Sequence, residues 1–339
     1  MRRFLAALFI VVLAAALAVV TWPQLLGLER TFVIAQIVSM RGLAVFLAAV
    51  LVVTLLLISI VYASVRRFTG SIALVLLTFC GVSFAVLATR GFGGPGFETK
   101  ADNDVTVMSW NTLGDSPGAE RIAAVALAQE ADVVALPETS AEIADIVAAI
   151  MTDAGSPMTA LHVSLDDISK ARTTSLLIST ELGAYEVDEA AGTTETLPSV
   201  VAVPLDGSGP VIVAAHPVAP VPGEMPHWNQ GLDWLATQCA RPNVILAGDL
   251  NSTLDHYAGL GGSAGQHSGE LGDCVDAARA SGAAAVATWP TQLPQLMGAP
   301  IDHVMATDGW MPVGFRVVGT EDGSGSDHRP IVAQLRPLK

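Results

Sequence analysis

Charge is scarce in this chain: 14% of its 339 residues are Asp, Glu, Lys or Arg, against 51% that are apolar. Together with a positive mean hydropathy, that balance excludes a protein that lives wholly in water. Cysteine is scarcer still. There are three, none at metal-ligand spacing, which excludes a cysteine-held metal centre. Basic residues are rare where a polyanion would need them: residues 98–339 hold ten Lys or Arg against thirty-one Asp or Glu, which argues against a long nucleic acid as partner. Internal repeats and a second soluble domain are also missing.

What is present divides the chain in two. Before Glu98 the charge balance inverts, to seven basic residues and one acidic. Three runs there, residues 4–22, 43–63 and 71–89, carry no charge at all. About 20 residues at ~1.5 Å each cross a hydrocarbon core of roughly 30 Å, so residues 1–90 are expected to form an anchor of three transmembrane helices, with the lipid bilayer as partner. For the first run an alternative stands, because behind Met1-Arg2-Arg3 it also fits a signal peptide. Arg2, Arg3, Arg66 and Arg67 mark their segments as cytoplasmic against Arg30, Arg41 and Glu29 in the first connection. That bias predicts a multi-pass cell-membrane protein whose third span delivers the remainder to the extracytoplasmic side. Gly91-Phe92-Gly93-Gly94-Pro95-Gly96 reads as a flexible linker within 91–101, ahead of a domain at 102–338. Cys239 and Cys274 either form a disulfide in that oxidising compartment or stay two buried thiols, and the sequence leaves both open.

Beyond the linker, β-branched apolar runs alternate with helical patterns. Strands are expected at 105–109, 132–136, 174–179, 199–204, 211–215, 243–247, 302–306, 315–318 and 330–335, and helices at 119–130, 141–151 and 224–238. In the last helix Trp228, Leu232 and Leu235 are spaced for one face. Many strands with few, separated helices predict an α/β domain with a two-sheet core covered by helices.

Polar residues gather where those strands end. Gly248-Asp249-Leu250-Asn251 follows an apolar strand and puts a carboxylate and an amide two residues apart, although alone it is an ordinary turn. Ser326-Asp327-His328-Arg329-Pro330 joins a carboxylate, an imidazole and a guanidinium in one loop. Ile301-Asp302-His303 and Ala215-His216-Pro217 add further histidines. Singly, each histidine reads as an ordinary surface or core residue.

In order, Ser109-Trp110-Asn111, Leu136-Pro137-Glu138, Ala215-His216-Pro217, Gly248-Asp249-Leu250-Asn251, Ile301-Asp302-His303 and Ser326-Asp327-His328 closely resemble the motif series of the endonuclease/exonuclease/phosphatase superfamily. The likeness spans nearly all of residues 102–338, and Trp289-Pro290 resembles a further segment with a structural role. Pro137, where the family often has Gln, and His216 depart from the nuclease pattern and bear on substrate rather than on metal. The resemblance implies a four-layer α/β-β/α sandwich of the DNase I-like type with its active site at one end of both sheets. By matched position it implies Glu138 and Asn111, with Asp327, as ligands of Mg²⁺ or Mn²⁺, for which hard oxygen donors are suited. It implies Asp249 as the group that orients or deprotonates water, Asn251 and His216 as phosphate contacts, and His328 as a charged contact or proton carrier held by Asp302. Arg172 or Arg329 either adds a phosphate contact or is a surface charge. The expected function is hydrolysis of a phosphate ester or diphosphate, in a lipid-linked or small substrate. An extracytoplasmic nuclease and a silent phosphate- or partner-binding domain are the alternatives. The sequence points to no protein partner.

Overall fold

The computed structural model describes residues 1–94, 96–166, 169–262 and 270–338. Four helices come first: α1 (Arg2–Thr21), α2 (Ile34–Ser39), α3 (Arg41–Val61) and α4 (Arg66–Arg90). The three long ones have the length and apolarity to cross a membrane. They pack against one another through Leu17, Val20, Ala48, Val52, Ala73, Leu76 and Phe79, while most of their large side chains face outward, as lipid-facing surfaces must.

The remainder runs β1 (Val105–Ser109), α5 (Ala119–Ala128), β2 (Val133–Pro137), α6 (Ala141–Asp153), β3 (Met158–Ser164), β4 (Thr173–Ser179), β5 (Tyr185–Val187), β6 (Val200–Pro204), β7 (Val211–Ala215), α7 (Met225–Gln238), β8 (Val244–Asp249), β9 (Val275–Asp276), α8 (Ala277–Ala280), β10 (Asp302–Ala306), β11 (Trp310–Val317) and β12 (Ile331–Pro337). Two six-stranded mixed sheets result, ordered β11-β12-β1-β2-β4-β3 and β5-β6-β7-β8-β10-β9.

Alternation along the strands decides the layers, because successive side chains point to opposite faces. Val105, Val107, Val133 and Ala135 of the first sheet share a core with Ile212, Ala214, Ile245 and Ala247 of the second. Their neighbours Met108, Val134 and Leu136 turn outward onto Ile122 of α5 and Val147 of α6. Val213, Ala215 and Leu246 turn the other way onto Trp228, Leu232 and Leu235, the expected face of α7. The domain is therefore a four-layer α/β-β/α sandwich. Helix α6 starts where Ser140 Oγ accepts from the Ile143 N–H, and α7 carries Pro226 in its first turn, where the missing N–H costs nothing.

Three strands escaped the sequence pattern. β5 and β9 are too short to show a period, and β3 lies at a sheet edge with mostly half-exposed side chains. The glycine-rich stretch after α4 does not hang free as a flexible linker would. The Gly93 N–H donates to Gly282 O at 3.2 Å, Ala284 and Ala285 N–H donate to Arg90 O and Gly91 O at 3.0 Å, and a Cβ on Gly91 would sit 1.9 Å from Gly282 O. Glycine here permits close backbone packing, and Pro95 lies outside the described residues. Cys239 and Cys274 form a disulfide, with Cα atoms 5.4 Å apart, tying the end of α7 to the segment before β9.

Candidate active site

The strand ladders bring the polar motifs to one end of both sheets. β1 and β2 are parallel, and the Trp110 and Thr112 N–H groups continue their ladder to Ala135 O and Pro137 O, so Asn111 and Glu138 leave the sheet together. β7 and β8 are also parallel, with Ala215 beside Gly248, which sets His216 next to Asp249. A Cβ at Gly248 would stand 2.0 Å from Ala215 O, so glycine is required for that approach. β10 runs antiparallel to β8 and pairs Asp302 with Asp249. On the first sheet β12 runs antiparallel to β1, so the loop preceding it reaches the same end. Ser326 Oγ donates to Asn111 O at 2.6 Å and Trp110 Nε1 to His328 O at 3.0 Å, fixing that loop.

His328 is the hub. Its Nδ1 lies 2.9 Å from Asp302 Oδ2, and its Nε2 3.6 Å from Asp249 Oδ2 and 4.0 Å from Asp327 Oδ1. Asn111 Nδ2 donates to Glu138 Oε1 and to Asp249 Oδ2, both at 3.0 Å, while its Oδ1 accepts from the Leu113 N–H at 2.9 Å. The amide thus separates two carboxylates and turns its nitrogen, not its oxygen, toward them. Asp249 Oδ1 accepts from the Asn251 N–H at 2.9 Å, and Asn251 Nδ2 donates to Pro217 O at 3.0 Å. Glu138 and Asn251 both hold left-handed φ angles, 56° and 46°, a strain that non-glycine residues tolerate where the surroundings fix them.

Burial and charge set the protonation states. Burial opposes a charge on His328, but Asp302, Asp249 and Asp327 outweigh it and raise its pKa to about 10, so it is an imidazolium at neutral pH. His216, fully buried with His328 nearby, is pushed down to about 3 and stays neutral, and neither of its ring nitrogens has a hydrogen-bond partner. Burial pushes both the Asp249 and Glu138 carboxyls up, and repulsion from Asp327 adds to the effect on Glu138.

A divalent cation suits this donor set. Glu138 and Asp327 repel each other, and among the described residues Asp327 Oδ1 and Asp302 Oδ1 are buried without a hydrogen-bond partner. One atom each from Asp249, Asp302 and His328 also fall within 4.8 Å of one another.

Other residues named from sequence lie elsewhere. His303 turns into the core, with Nδ1 2.6 Å from Asp276 Oδ2 and Nε2 2.9 Å from Ser252 O. Arg329 is 1% exposed and clips Asp322 to the carbonyls of Thr291 and Leu293. Arg172 pairs with Asp166 at 2.7 Å. Trp289, read as structural, lines the site and donates to Asp327 Oδ2 at 2.8 Å. The site opens into a cavity of about 490 Å³ bordered by Glu138, His216, Asp249, Asn251, Trp289 and His328.

The sequence pattern described as Endonuclease/Exonuclease/phosphatase family matches residues 108–328. No curated protein matches the chain. Among solved structures, a D. rerio TDP2 humanized by 14 mutations is 18% identical, with a TM-score of 0.51 over 69% of this chain and 100% of its own. D. rerio TDP2 complexed with single strand DNA product is 17% identical, also with a TM-score of 0.51 over 69% of this chain and 100% of its own. An endonuclease/exonuclease/phosphatase from Beutenbergia cavernae DSM 12333 is 20% identical, with a TM-score of 0.48 over 69% of this chain and 72% of its own. At these identities the likeness is one of fold.

Proposed function

This chain belongs to the endonuclease/exonuclease/phosphatase family, and on that premise we propose that it is a membrane-anchored, divalent-cation-dependent phosphoesterase acting on a lipid-linked or small phosphate substrate. The observation that carries the reading is the convergence on one cavity of His328, with Nδ1 2.9 Å from Asp302 Oδ2 and Nε2 3.6 Å from Asp249 Oδ2, and a buried His216 whose ring nitrogens have no hydrogen-bond partner. Phosphoryl transfer to water needs an oriented nucleophile, neutralised oxygens and a proton for the leaving group. Asp249 takes the proton of a water whose oxygen bonds to phosphorus, and His328, steadied by Asp302, gives one to the leaving oxygen as its P–O bond breaks. Asn251 and His216 bind the phosphate oxygens. Glu138 and Asp327, with Asn111 positioning Glu138, would hold Mg²⁺ or Mn²⁺, which when bound neutralises phosphate charge.

An extracytoplasmic site is supported by three features. The disulfide suits an oxidising compartment. The arginine pair Arg66-Arg67 opens α4 directly after the short turn from α3, at the opposite end of that helix from Arg90 and the domain. The connection between α1 and α3 touches the same domain that follows α4, as a three-span path requires, and Thr21 at the end of α1 accepts from Arg41, which favours a retained span over a cleaved leader. A nuclease is the second reading, favoured by the similarity to a TDP2 whose structure holds a single strand DNA product.

Two readouts on the full-length protein in detergent, with EDTA or Mg²⁺, test both: phosphate release from phosphatidate, prenyl diphosphate and nucleotides, and strand scission of single-stranded DNA. Cation-dependent release from the lipids is expected. DNA cleaved faster than every lipid phosphate would replace the lipid reading with the nuclease one.

A further inference from the structure

Part of the lining of the catalytic cavity comes from the anchor. Gln36, Ser39 and Met40, in and just after α2, line the same cavity as Glu138, His216, Asp249 and His328. Sequence patterning treats residues 22–40 as a mere connection between spans, yet this segment is pinned to the catalytic domain at every turn. Ala35 is fully buried in the core beneath α7, and its carbonyl lies 3.2 Å from His256 Nε2. The Gln36 side-chain amide bonds Pro220 O. Arg41, the first residue of α3, and Arg90, the last of α4, both pair with the buried carboxylate of Asp255 at 2.8 Å. The backbone of Leu296 packs against Gly42, where a Cβ would meet Leu296 O at 1.9 Å. The span ends and the α2 segment are therefore packed directly against the catalytic domain.

The chemistry of the cavity away from the phosphate end is apolar. Met40, Leu197, Ala219, Pro220, Val221 and Ile301 line it. The amide of Gln36 is already engaged with Pro220 O, and the Ser39 hydroxyl donates to Ala35 O at 2.8 Å. A nucleobase or sugar entering here would forfeit its hydrogen bonds to water with few replacements, whereas a hydrocarbon chain gains by leaving water. The cavity also lies beside the start of a candidate membrane span. Met40 directly precedes the apolar span α3, and Trp22, Leu25, Leu26, Val221 and Leu296 around this end are exposed large apolar side chains, as expected at a bilayer interface.

Resting on the phosphoesterase reading above, we propose that α2 and Met40 form a substrate-selecting wall that receives the hydrocarbon portion next to the scissile phosphate of a membrane-resident lipid phosphoester. The anchor thus contributes to the binding site itself, in addition to tethering it.

The test uses full-length protein in mixed micelles and two matched pairs, farnesyl with isopentenyl diphosphate and phosphatidate with glycerol 3-phosphate. For each pair the ratio of kcat/KM, long chain over short, is compared among wild type, Met40→Asp, Met40→Leu and the distant surface control Leu205→Asp. A parallel binding readout follows quenching of tryptophan fluorescence by farnesyl phosphonate in EDTA. A ratio well above one that falls tenfold or more in Met40→Asp, stays within twofold in Met40→Leu and Leu205→Asp, and is matched by weaker phosphonate binding bears the proposal out. Equal loss on both members of a pair, or no change in the ratio, would mean the wall only braces the fold, and overturns it while leaving the phosphoesterase reading intact. Hydrolysis of the short-chain members or DNA without preference for the long chains overturns the lipid reading too. No hydrolysis of any substrate together with no phosphonate binding overturns both.

Discussion

Asp302 Oδ2 sits 2.9 Å from His328 Nδ1, and the two reach each other from different sheets, Asp302 opening β10 and His328 preceding β12. The pair bridges the two sheets at the site while their shared apolar core holds them together, so its loss should read out in chemistry more than in folding. Asp302→Asn removes the charge that favours the imidazolium and should lower kcat by on the order of 10²–10⁴, the usual worth of a positioned proton donor. Substrate KM should change little. Steady-state rates with intact circular dichroism check it, and an unchanged kcat would remove His328 from the proton path.

Metal dependence should be absolute for turnover. Dialysis against EDTA is expected to abolish phosphate release, and Mg²⁺ or Mn²⁺ to restore it. Glu138→Gln should need far more metal for half-maximal rate, and Asn111→Ala, which frees the Glu138 carboxylate rather than deleting it, about 10–100-fold more. Isothermal titration of the metal gives the same ranking without reliance on turnover, and equal affinity in wild type and Glu138→Gln would displace Glu138 as ligand.

Breaking the buried cluster at Asp255 should undock the domain. Asp255 is 3% exposed and faces Arg41, 4% exposed, so Asp255→Ala leaves two arginines without their counter-charge, a cost of about 3–5 kcal/mol. Protease cutting within 91–101 should accelerate, because the bonds from Gly93, Ala284 and Ala285 depend on that docking. Replacing all three residues by Leu should recover most of the loss, since an apolar trio needs no compensation.

Acid stability should report Asp104. Its hydrogen bonds with Arg336, aided by Ala101 N–H and Gln334, hold its carboxyl at about 2 against burial, below the ordinary 3.8. A depressed folded pKa contributes stability that is complete above the ordinary value and disappears as pH falls toward the folded one. The thermal midpoint should therefore be insensitive to Asp104 ionisation near neutrality and should fall between about pH 4 and pH 2. In Asp104→Asn the neutral-pH midpoint should be lower and the acid decline shallower. A decline of equal steepness in both proteins would assign acid sensitivity to other carboxylates.

The sequence alone determined the strand-end chemistry. Continuous runs such as Val244–Ala247 declare buried strands locally, and a carboxylate or imidazole following one has little room except at the sheet's end. For the same reason Trp228, Leu232 and Leu235 announced the buried face of α7, and three uncharged runs announced the long helices. Only the tertiary structure decided which distant groups meet. Cys239 and Cys274 are 35 residues apart, and Asp255 lies 214 residues from Arg41, so neither pairing has a local signal. Arg30 and Arg41 weakened the charge bias used for orientation because they serve Asp233 and Asp255, partners that no count of loop charges contains. Residues 34–40 became a cavity wall for the same reason. Periodicity and residue type encode neighbours along the chain, whereas the company a side chain keeps across the fold follows from the summed packing of two sheets and four helices around it.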